Sequence, residues 1–507
     1  DKALAETRGL YYYMGMLKRK TSHQSELEFV SIETLVPQDH LLRKIDRHID
    51  FGFIYDKVEH LYCADNGRPP VDPVMFFKML FVGYLFGIRS ERRLEKEIQV
   101  NTAYRWFLGL GLTGKVPDHS VISHNRNERF AGTGVYQEIF DEIVLQAMKL
   151  KFADGRTLYT DSTHLKASAN KGKHEKKLVS ESVRSYTAEL DAAIAAEREA
   201  RGKKPLKPKD GGGPKQKEIK SSSTDPDSGY MHRDSKPKSF FYLDHRTVDA
   251  KHAIITDVHV TAGNVHDSVP YLGRLDRQAE RFCFDIKAVG VDAGYITAPI
   301  CKGLSDRDIY GVMPYKRPMG KPGMIKKRDF DYDEYYDCYL CPEGQVLHYS
   351  TTNREGRNEY KSDPAICAQC PRLKECTQSR SKQKVIHRHI WEKHCEEVNN
   401  HRYEERGKQI YKRRKETVER SFADAKELHG HRYARFRGID KVQEQCLMAA
   451  CAQNIKKIAM LLDREGLGRV FACISGLMGR ISAVLDDLPI RVLLRREKAA
   501  LPAATIC

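Results

Sequence analysis

Apolar positions follow two rhythms along this chain, helical up to about residue 150 and strand-like from residue 152 onward. Pro70 and Pro73 open PVMFFKMLFVGYLFGI, which is apolar on nearly every face and predicts a buried helix. Ser90 suits an N-cap for the charged amphipathic stretch ERRLEKEIQ. Trp106, Phe107 and Leu108 close a third helix. Asp118 or Ser120 caps a fourth, which carries His119, Ser123, His124, Arg126, Asn127 and Arg129. Short helices, a Gly-containing turn and a basic last helix fit a helix-turn-helix-like DNA reader, or an ordinary bundle with a solvated face. The string Gly109-x-Gly111-x-x-Gly114 follows a helix-like segment and has no βαβ unit around it, so it is a turn and not a dinucleotide site.

RTLYTDSTHLKASA predicts the first strand of a second domain. A polar insertion over 171–238 follows, expected as mobile linker apart from one helix in SESVRSYTAELDAAIAAEREARG. SFFYLDHRTVD and AIITDVHVTAG predict two strands, VPYLGRLDRQAE a helix, IKAVGVDAGY a short buried strand, Thr297 to Ser305 a helix and DIYGVMPYK a last strand. This order predicts an α/β core with a mixed sheet, added to an N-terminal all-α domain. The expected divisions are a non-native or disordered extension over 1–27, a helical DNA-binding domain over 28–150 and the first part of the core over 151–317. A cysteine-bearing insertion over 318–400, the core's C-terminal helices over 401–462 and a tail over 463–507 complete them.

Charge adds a partner to this picture. Lys plus Arg number 86 against 69 Asp plus Glu, a net charge of +17. Such an excess favours a polyanion, because each phosphate neutralised releases a condensed counterion, although a generally basic solvated surface is the plainer explanation. No stretch reaches the roughly 18–20 apolar residues of a membrane span. Thirteen cysteines, an odd number, argue against a secreted disulfide framework. The expectation is an intracellular protein.

The acids add chemistry. Phosphoryl transfer on DNA needs an activated oxygen nucleophile and stabilised charge on the attacking and leaving oxygens, which two Mg²⁺ ions (or Mn²⁺) supply. Mg²⁺ takes oxygen ligands, usually carboxylates and waters. Asp161 follows the β-prone run Leu158-Tyr159-Thr160, and Asp292 ends Val289-Gly290-Val291. A strand-end acid is costly to bury unless paired or metal-bound, though an isolated one is often a turn or cap residue. Glu419 lies in the helical KRRKETVERSFADAKELHG, with Lys426 seven residues on and nearly on the same face. Glu416, Asp424 and Glu427 compete with it.

YTDSTHLKASANK, VGVDAGY and ETVERSFADAKELHGHRYARFRG together resemble the DDE transposases of bacterial insertion sequences, whose catalytic domains are RNase H-like. The closest resemblance is to the subgroup with a helical N-terminal domain and a cysteine-bearing insertion before the last acid; it spans about 28–460. GRPPVDPVMFFKMLFVGYLFGIRSERRLEKEIQVNTAYRWFLGL and PDHSVISHNRNERF fit that N-terminal domain. The resemblance implies Asp161, Asp292 and Glu419 as catalytic, Mg²⁺-holding acids and Lys426 as the lysine of a Tyr–Arg–Glu–Lys signature. The arginine expected four residues before the glutamate is Lys415, with Arg413 and Arg414 adjacent, and Tyr411 stands one place early. Lys426, Lys415 and Arg414 are the expected phosphate contacts, with His119, Ser123, Arg126 and Arg129 as DNA-binding candidates. The implied partners are terminal inverted repeats and target DNA, bound by a homodimer or higher oligomer in the cytoplasm, at the bacterial nucleoid, with no membrane partner. A domesticated DNA-binding relative without activity, or a nuclease of the same fold without strand transfer, are the competing functions.

Cys338-x₂-Cys341 and Cys367-x₂-Cys370-x₅-Cys376 place five cysteines within 39 residues. Paired Cys-x-x-Cys of this kind predicts a tetrahedral structural Zn²⁺ site, against free buried cysteines as the alternative. In the resembling sequences the recurring four correspond to Cys341, Cys367, Cys370 and Cys376, leaving Cys338 as spare or substitute. Trp391, near the end of the insertion, packs a helix or stacks a DNA base.

Overall fold

The computed structural model describes the backbone of residues 29–63, 70–180, 187–207, 216–233, 236–315 and 321–487. The extension expected over 1–27 lies outside these residues.

The N-terminal part is helical, as its periodicity predicts. In the Pro73–Leu85 helix, Asp72 caps the first turn, its Oδ1 accepting from Met75 N–H at 2.7 Å, and nine of thirteen residues are buried. Ser90 caps Glu91–Val100 through Arg93 N–H, and Asp118 caps His119–His124 through Ser120 N–H. These helices share their core with the sheet. One hydrophobic core runs from Val36 through the sheet strands to Ala459. The Ile439–Asp487 helix ties the parts together, packing on Pro73–Leu85, on Val135–Lys149 and on the sheet. Gly87 shows how close the approach is: a Cβ there would lie 3.1 Å from the backbone oxygen of Leu428. The same long helix runs on past 463 to Asp487; 488–507 lie outside the described residues.

The central sheet has six strands. β1 (Thr157–Lys166) pairs antiparallel with β5 (Lys236–Asp249) on one side and parallel with β7 (Ala288–Gly290) on the other; β8 (Tyr310–Val312) lies parallel to β7. β6 (Ile255–Ala262) and β4 (Gly229–Arg233) share the far edge of β5. The helices Tyr271–Phe282 and Ala298–Ser305 make the crossovers to β7 and β8, which is the mixed-sheet order the sequence predicts.

Two insertions depart from expectation. Within 171–238, β2 (His174–Ser180) and β3 (Gln216–Ser222) pair as an antiparallel ribbon. The Thr187–Ala200 helix docks away from it, Arg198 donating to Thr352 O at 2.6 Å and to Thr351 Oγ1 at 2.9 Å. The described residues of this region thus form a ribbon and a docked helix where mobile linker was expected. The cysteine insertion holds a five-stranded antiparallel meander: β9 (Asp331–Asp333), β10 (Cys338–Leu340), β11 (Val346–Thr352), β12 (Arg357–Lys361) and β13 (Val385–His389). Its small core consists of Phe330, Tyr339, Leu347, Tyr360 and Ile386.

Candidate active site

β1 and β7 run parallel, but their pairing stops at Tyr159–Gly290. Beyond it no ladder joins the two strands, and such a gap at the C-terminal end of a parallel pair is the kind of crevice where open α/β sheets place ligands. Asp161 stands two residues past the last paired residue of β1, and Asp292 two residues past that of β7. Asp161 is therefore inside β1 and not at its end, since β5 carries the strand on to Lys166. Asp292 is exposed and precedes a short 3₁₀ turn without capping it.

The third segment arrives on helices. Glu405–Arg413 passes into a π-helical turn, Lys415–Glu419, before the α-helix resumes at Arg420–Glu427. Arg414 heads that turn and faces inward, its side chain only 7% exposed. One guanidinium nitrogen donates to Asp161 Oδ2 at 2.6 Å and the other to Glu419 Oε1 at 2.8 Å. Glu419 itself is half exposed at the rim.

Burial pushes the Asp161 carboxyl up to about 6, Asp292 and Asp267 push the same way, and Arg414 and the Ser162 N–H oppose them. Asp267, in the loop after β6, accepts from Ser162 Oγ at 2.7 Å. The sequence reading missed it, because a loop aspartate carries no periodic signal and only the fold brings it beside Asp161. Asp292 and Asp267 thus lie close enough to Asp161 to act on it, and Arg414 bonds Asp161 and Glu419 together. Such a group of hard oxygen donors with surplus negative charge fits divalent cations. The predicted triad does not close to within 4.8 Å, and Arg414 fills the space between Asp161 and Glu419.

The π turn bears on the signature arginine. Four residues before Glu419, where the resemblance implies an arginine, the chain has Lys415, with Arg413 and Arg414 adjacent. The turn adds a residue, with Glu419 N–H bonded to Arg414 O at 3.4 Å, so Arg414 takes the inward position and Lys415 is exposed. Arg414 is accordingly a buried partner of the acids in this structure and not an exposed phosphate contact. With Arg414 in that role, Tyr411 three residues earlier is no longer out of step. Lys426 is half-buried further along the helix.

The remaining candidates are dispersed. His119 Nδ1 lies 2.8 Å from Glu95, with Asp118 nearby. Arg126 is buried, paired with Glu91 at 2.9 Å and laid over the Phe436 ring at 3.8 Å, so it is not the free basic side chain the sequence suggested. Asn127 donates to Ser123 Oγ, and Arg129 covers the Tyr62 ring. Trp391 is 6% exposed, with Lys302 against its ring, which removes it from base stacking and makes it a packing residue.

Cys341, Cys367, Cys370 and Cys376 line one cavity together with Phe330, Leu347 and Ile366. Burial pushes the Cys376 thiol up, and the other three thiols act in the same direction. Gly344, at φ +72°, completes a tight turn in which Gln345 N–H points at Cys341 Sγ at 3.3 Å. No three of these sulfurs come within 4.8 Å of one another. Cys338 is buried on β10, beside Asp333 and Asp337 and away from that cavity.

A second buried cluster, Asp244, His431 and Cys446, does meet a 4.8 Å spacing. The Arg246 guanidinium already lies 2.8 Å from Asp244, and the group is wholly buried, so its charge is balanced without an ion.

Residues 30–128 match the family model described as a transposase domain (DUF772), and residues 340–459 match one described as a transposase DDE domain. The second span contains the four cavity cysteines and Glu419 but neither Asp161 nor Asp292. The chain thus carries a DDE transposase domain, an enzyme unit that cleaves DNA and transfers strands. No curated protein sequence matches the chain. A solved structure of a piggyBac transposase synaptic complex with hairpin DNA aligns at 10% identity and a TM-score of 0.34, over 84% of this chain and 75% of that one. That likeness transfers no residue role. No described helix is long and apolar enough to cross a membrane.

Proposed function

We propose that this chain, which carries a DDE transposase domain, cuts DNA at the ends of its own mobile element and joins the freed ends to target DNA. The core is RNase H-like, and its metal centre consists of Asp161, Asp292 and Glu419. The observation that carries this reading is that Arg414 bonds both Asp161 of β1 and Glu419 of the π turn, while Asp292 after β7 lies close enough to push the Asp161 carboxyl up.

When bound there, two Mg²⁺ or Mn²⁺ ions activate the attacking oxygen and offset charge on the leaving one. The chain's own part is to hold three acids on rigid elements and to clamp the DNA. Asp161 is fixed by the Ser162 N–H on one oxygen and by the pairing of its strand with β5. Lys415 at the exposed rim and Lys426 along the same helix contact DNA phosphates. The helical region reads the terminal inverted repeats through the exposed parts of His119, Ser123 and Arg129. Bringing two ends to one target calls for a homodimer or larger assembly on DNA.

A structural Zn²⁺ held by Cys341, Cys367, Cys370 and Cys376 steadies the insertion, whose own core is five residues. Lys384 braces that site by donating to Cys376 O at 2.7 Å. Purified, folded protein that carries no zinc by metal analysis would end this assignment.

The main test is cleavage and strand transfer of element-end duplexes in Mg²⁺ by the wild type and by Asp161→Ala, Asp292→Ala and Glu419→Ala. Loss of both steps in all three is expected. A variant that retains full strand transfer removes its residue from the centre.

A further inference from the structure

We propose that Arg414 is a built-in counter-ion that competes with divalent cations for the acidic crevice and leaves it when a DNA phosphate takes its guanidinium. This rests on the reading of Asp161, Asp292 and Glu419 as the metal centre.

The geometry is specific. Asp161 has both oxygens engaged, Oδ1 by the Ser162 N–H at 2.8 Å and Oδ2 by Arg414 at 2.6 Å. Glu419 Oε1 is held by the other arm of the same guanidinium. An ion between these two acids needs the lone pairs and the space that Arg414 occupies. Arginine stays charged at every working pH, so the competition ends by movement and not by proton loss. Alone, the gathered carboxylates repel one another, and Arg414 is what allows the site to stand assembled without metal.

The contact also leaves something unmet. Arg414 Nε is buried with no hydrogen-bond acceptor. A phosphate oxygen provides one, and a bidentate arginine–phosphate contact replaces the carboxylates that the ions then take. Metal and DNA therefore favour each other's binding, each by removing a cost the other would otherwise meet. Arg414 is a positioning residue in this scheme. The π turn sets the five-residue spacing at which Arg414 and Glu419 meet.

The test is Mn²⁺ binding to the full-length protein without DNA, followed by electron paramagnetic resonance of the free ion. Arg414→Gln and Arg414→Met are both used, so that one folded variant suffices, with folding checked by circular dichroism. About tenfold tighter Mn²⁺ binding than wild type is expected, a loss of competition worth ~1.4 kcal/mol. A merely structural arginine would leave affinity unchanged or weaken it, and either result in a folded variant overturns the proposal. Asp161→Asn and Asp292→Asn separate the two levels. If they abolish Mn²⁺ binding while the Arg414 variants match wild type, only the counter-ion role falls. If they leave Mn²⁺ binding intact, the metal centre falls with it.

Discussion

Two acid–arginine clusters lie side by side on adjacent strands, and Asp161 of β1 stands directly opposite Arg246 of β5 on the same face of the sheet. In the crevice, one arginine serves Asp161 and Glu419 with two more aspartates close by, and the Asp161 carboxyl is pushed up to about 6, burial being the largest cause. In the core, Arg246 and His431 surround the single carboxylate of Asp244 and hold it well below the usual range although burial alone would raise it. The residue types are nearly the same. What differs is the balance: surplus negative charge beside solvent leaves a site that still attracts cations, while matched charge in a sealed pocket makes a strut. That strut pins the segment after the catalytic helix to β5 through His431, 2.8 Å from Asp244.

The strongest way to break this contrast is to remove one acid from each cluster. Asp244→Ala leaves a buried, unpaired Arg246 and is expected to cost about 3–5 kcal/mol of stability in urea denaturation. Asp161→Ala relieves crowding in the crevice and is expected to cost less than ~1 kcal/mol. In strand cleavage the order reverses: Asp161→Ala loses on the order of a thousandfold, the several kcal/mol a metal ligand supplies. Equal stability losses would show that both clusters are struts.

Acid separates the clusters by sign. The folded Asp161 has a raised carboxyl, so folded protein takes up that proton before the unfolded chain does. As pH falls from about 6 toward the ~3.9 of a free aspartate, this group therefore adds stability, roughly 1–3 kcal/mol in the absence of divalent ions. Asp244 behaves oppositely: its contribution is complete above ~3.9 and is lost only as pH falls further toward its depressed folded value. Urea midpoints of wild type and Asp161→Asn between pH 4 and 7 measure the first effect. The gap between the two proteins is expected to change across this window, and parallel curves would place Asp161 in an ordinary, unperturbed setting.

How much of this could be read beforehand depended on range. Asp161 and Asp292 were legible because β-prone runs precede them, and the helical N-terminus because its periodicity and caps are local. The ribbon of β2 and β3 was not, since Lys and Glu fill positions that a one-sided strand would make apolar. Nor was the unity of the core, which depends on contacts such as His429 with Tyr84 and Leu85, about 345 residues apart along the chain. Arg126 looked like a DNA contact because its partners, Glu91 and Phe436, come from other segments. Lys415 stands at the spacing where the resemblance implies an arginine, and the π turn that brings the adjacent Arg414 inward is a local feature that residue spacing alone does not reveal.

Deleting Glu416, an exposed residue of that turn, tests the point directly. In a continuous α-helix residues five apart diverge by about 140°, whereas the deletion leaves Arg414 four residues before Glu419, about 40° off its face. The two charged hydrogen bonds, each worth about 1.5–3 kcal/mol, are then expected to survive, with cleavage within about tenfold of wild type. Loss of cleavage in a folded deletion variant would mean that the turn places a functional residue by more than its spacing.

The smallest effect is expected at the neighbouring position. Lys415 and Arg414 are adjacent in sequence, but one is exposed and the other sealed between two acids. Lys415→Ala should leave stability within ~0.5 kcal/mol. It should weaken DNA binding only modestly and lower the slope of log affinity against log salt by about one phosphate contact, seen by fluorescence anisotropy across a salt series. If Lys415→Ala instead abolished cleavage while Arg414→Gln retained it, simple helical counting would have been right and the π turn incidental. The acid crevice would then lack its internal counter-ion, and its contrast with the Asp244 strut would rest on surplus carboxylates alone.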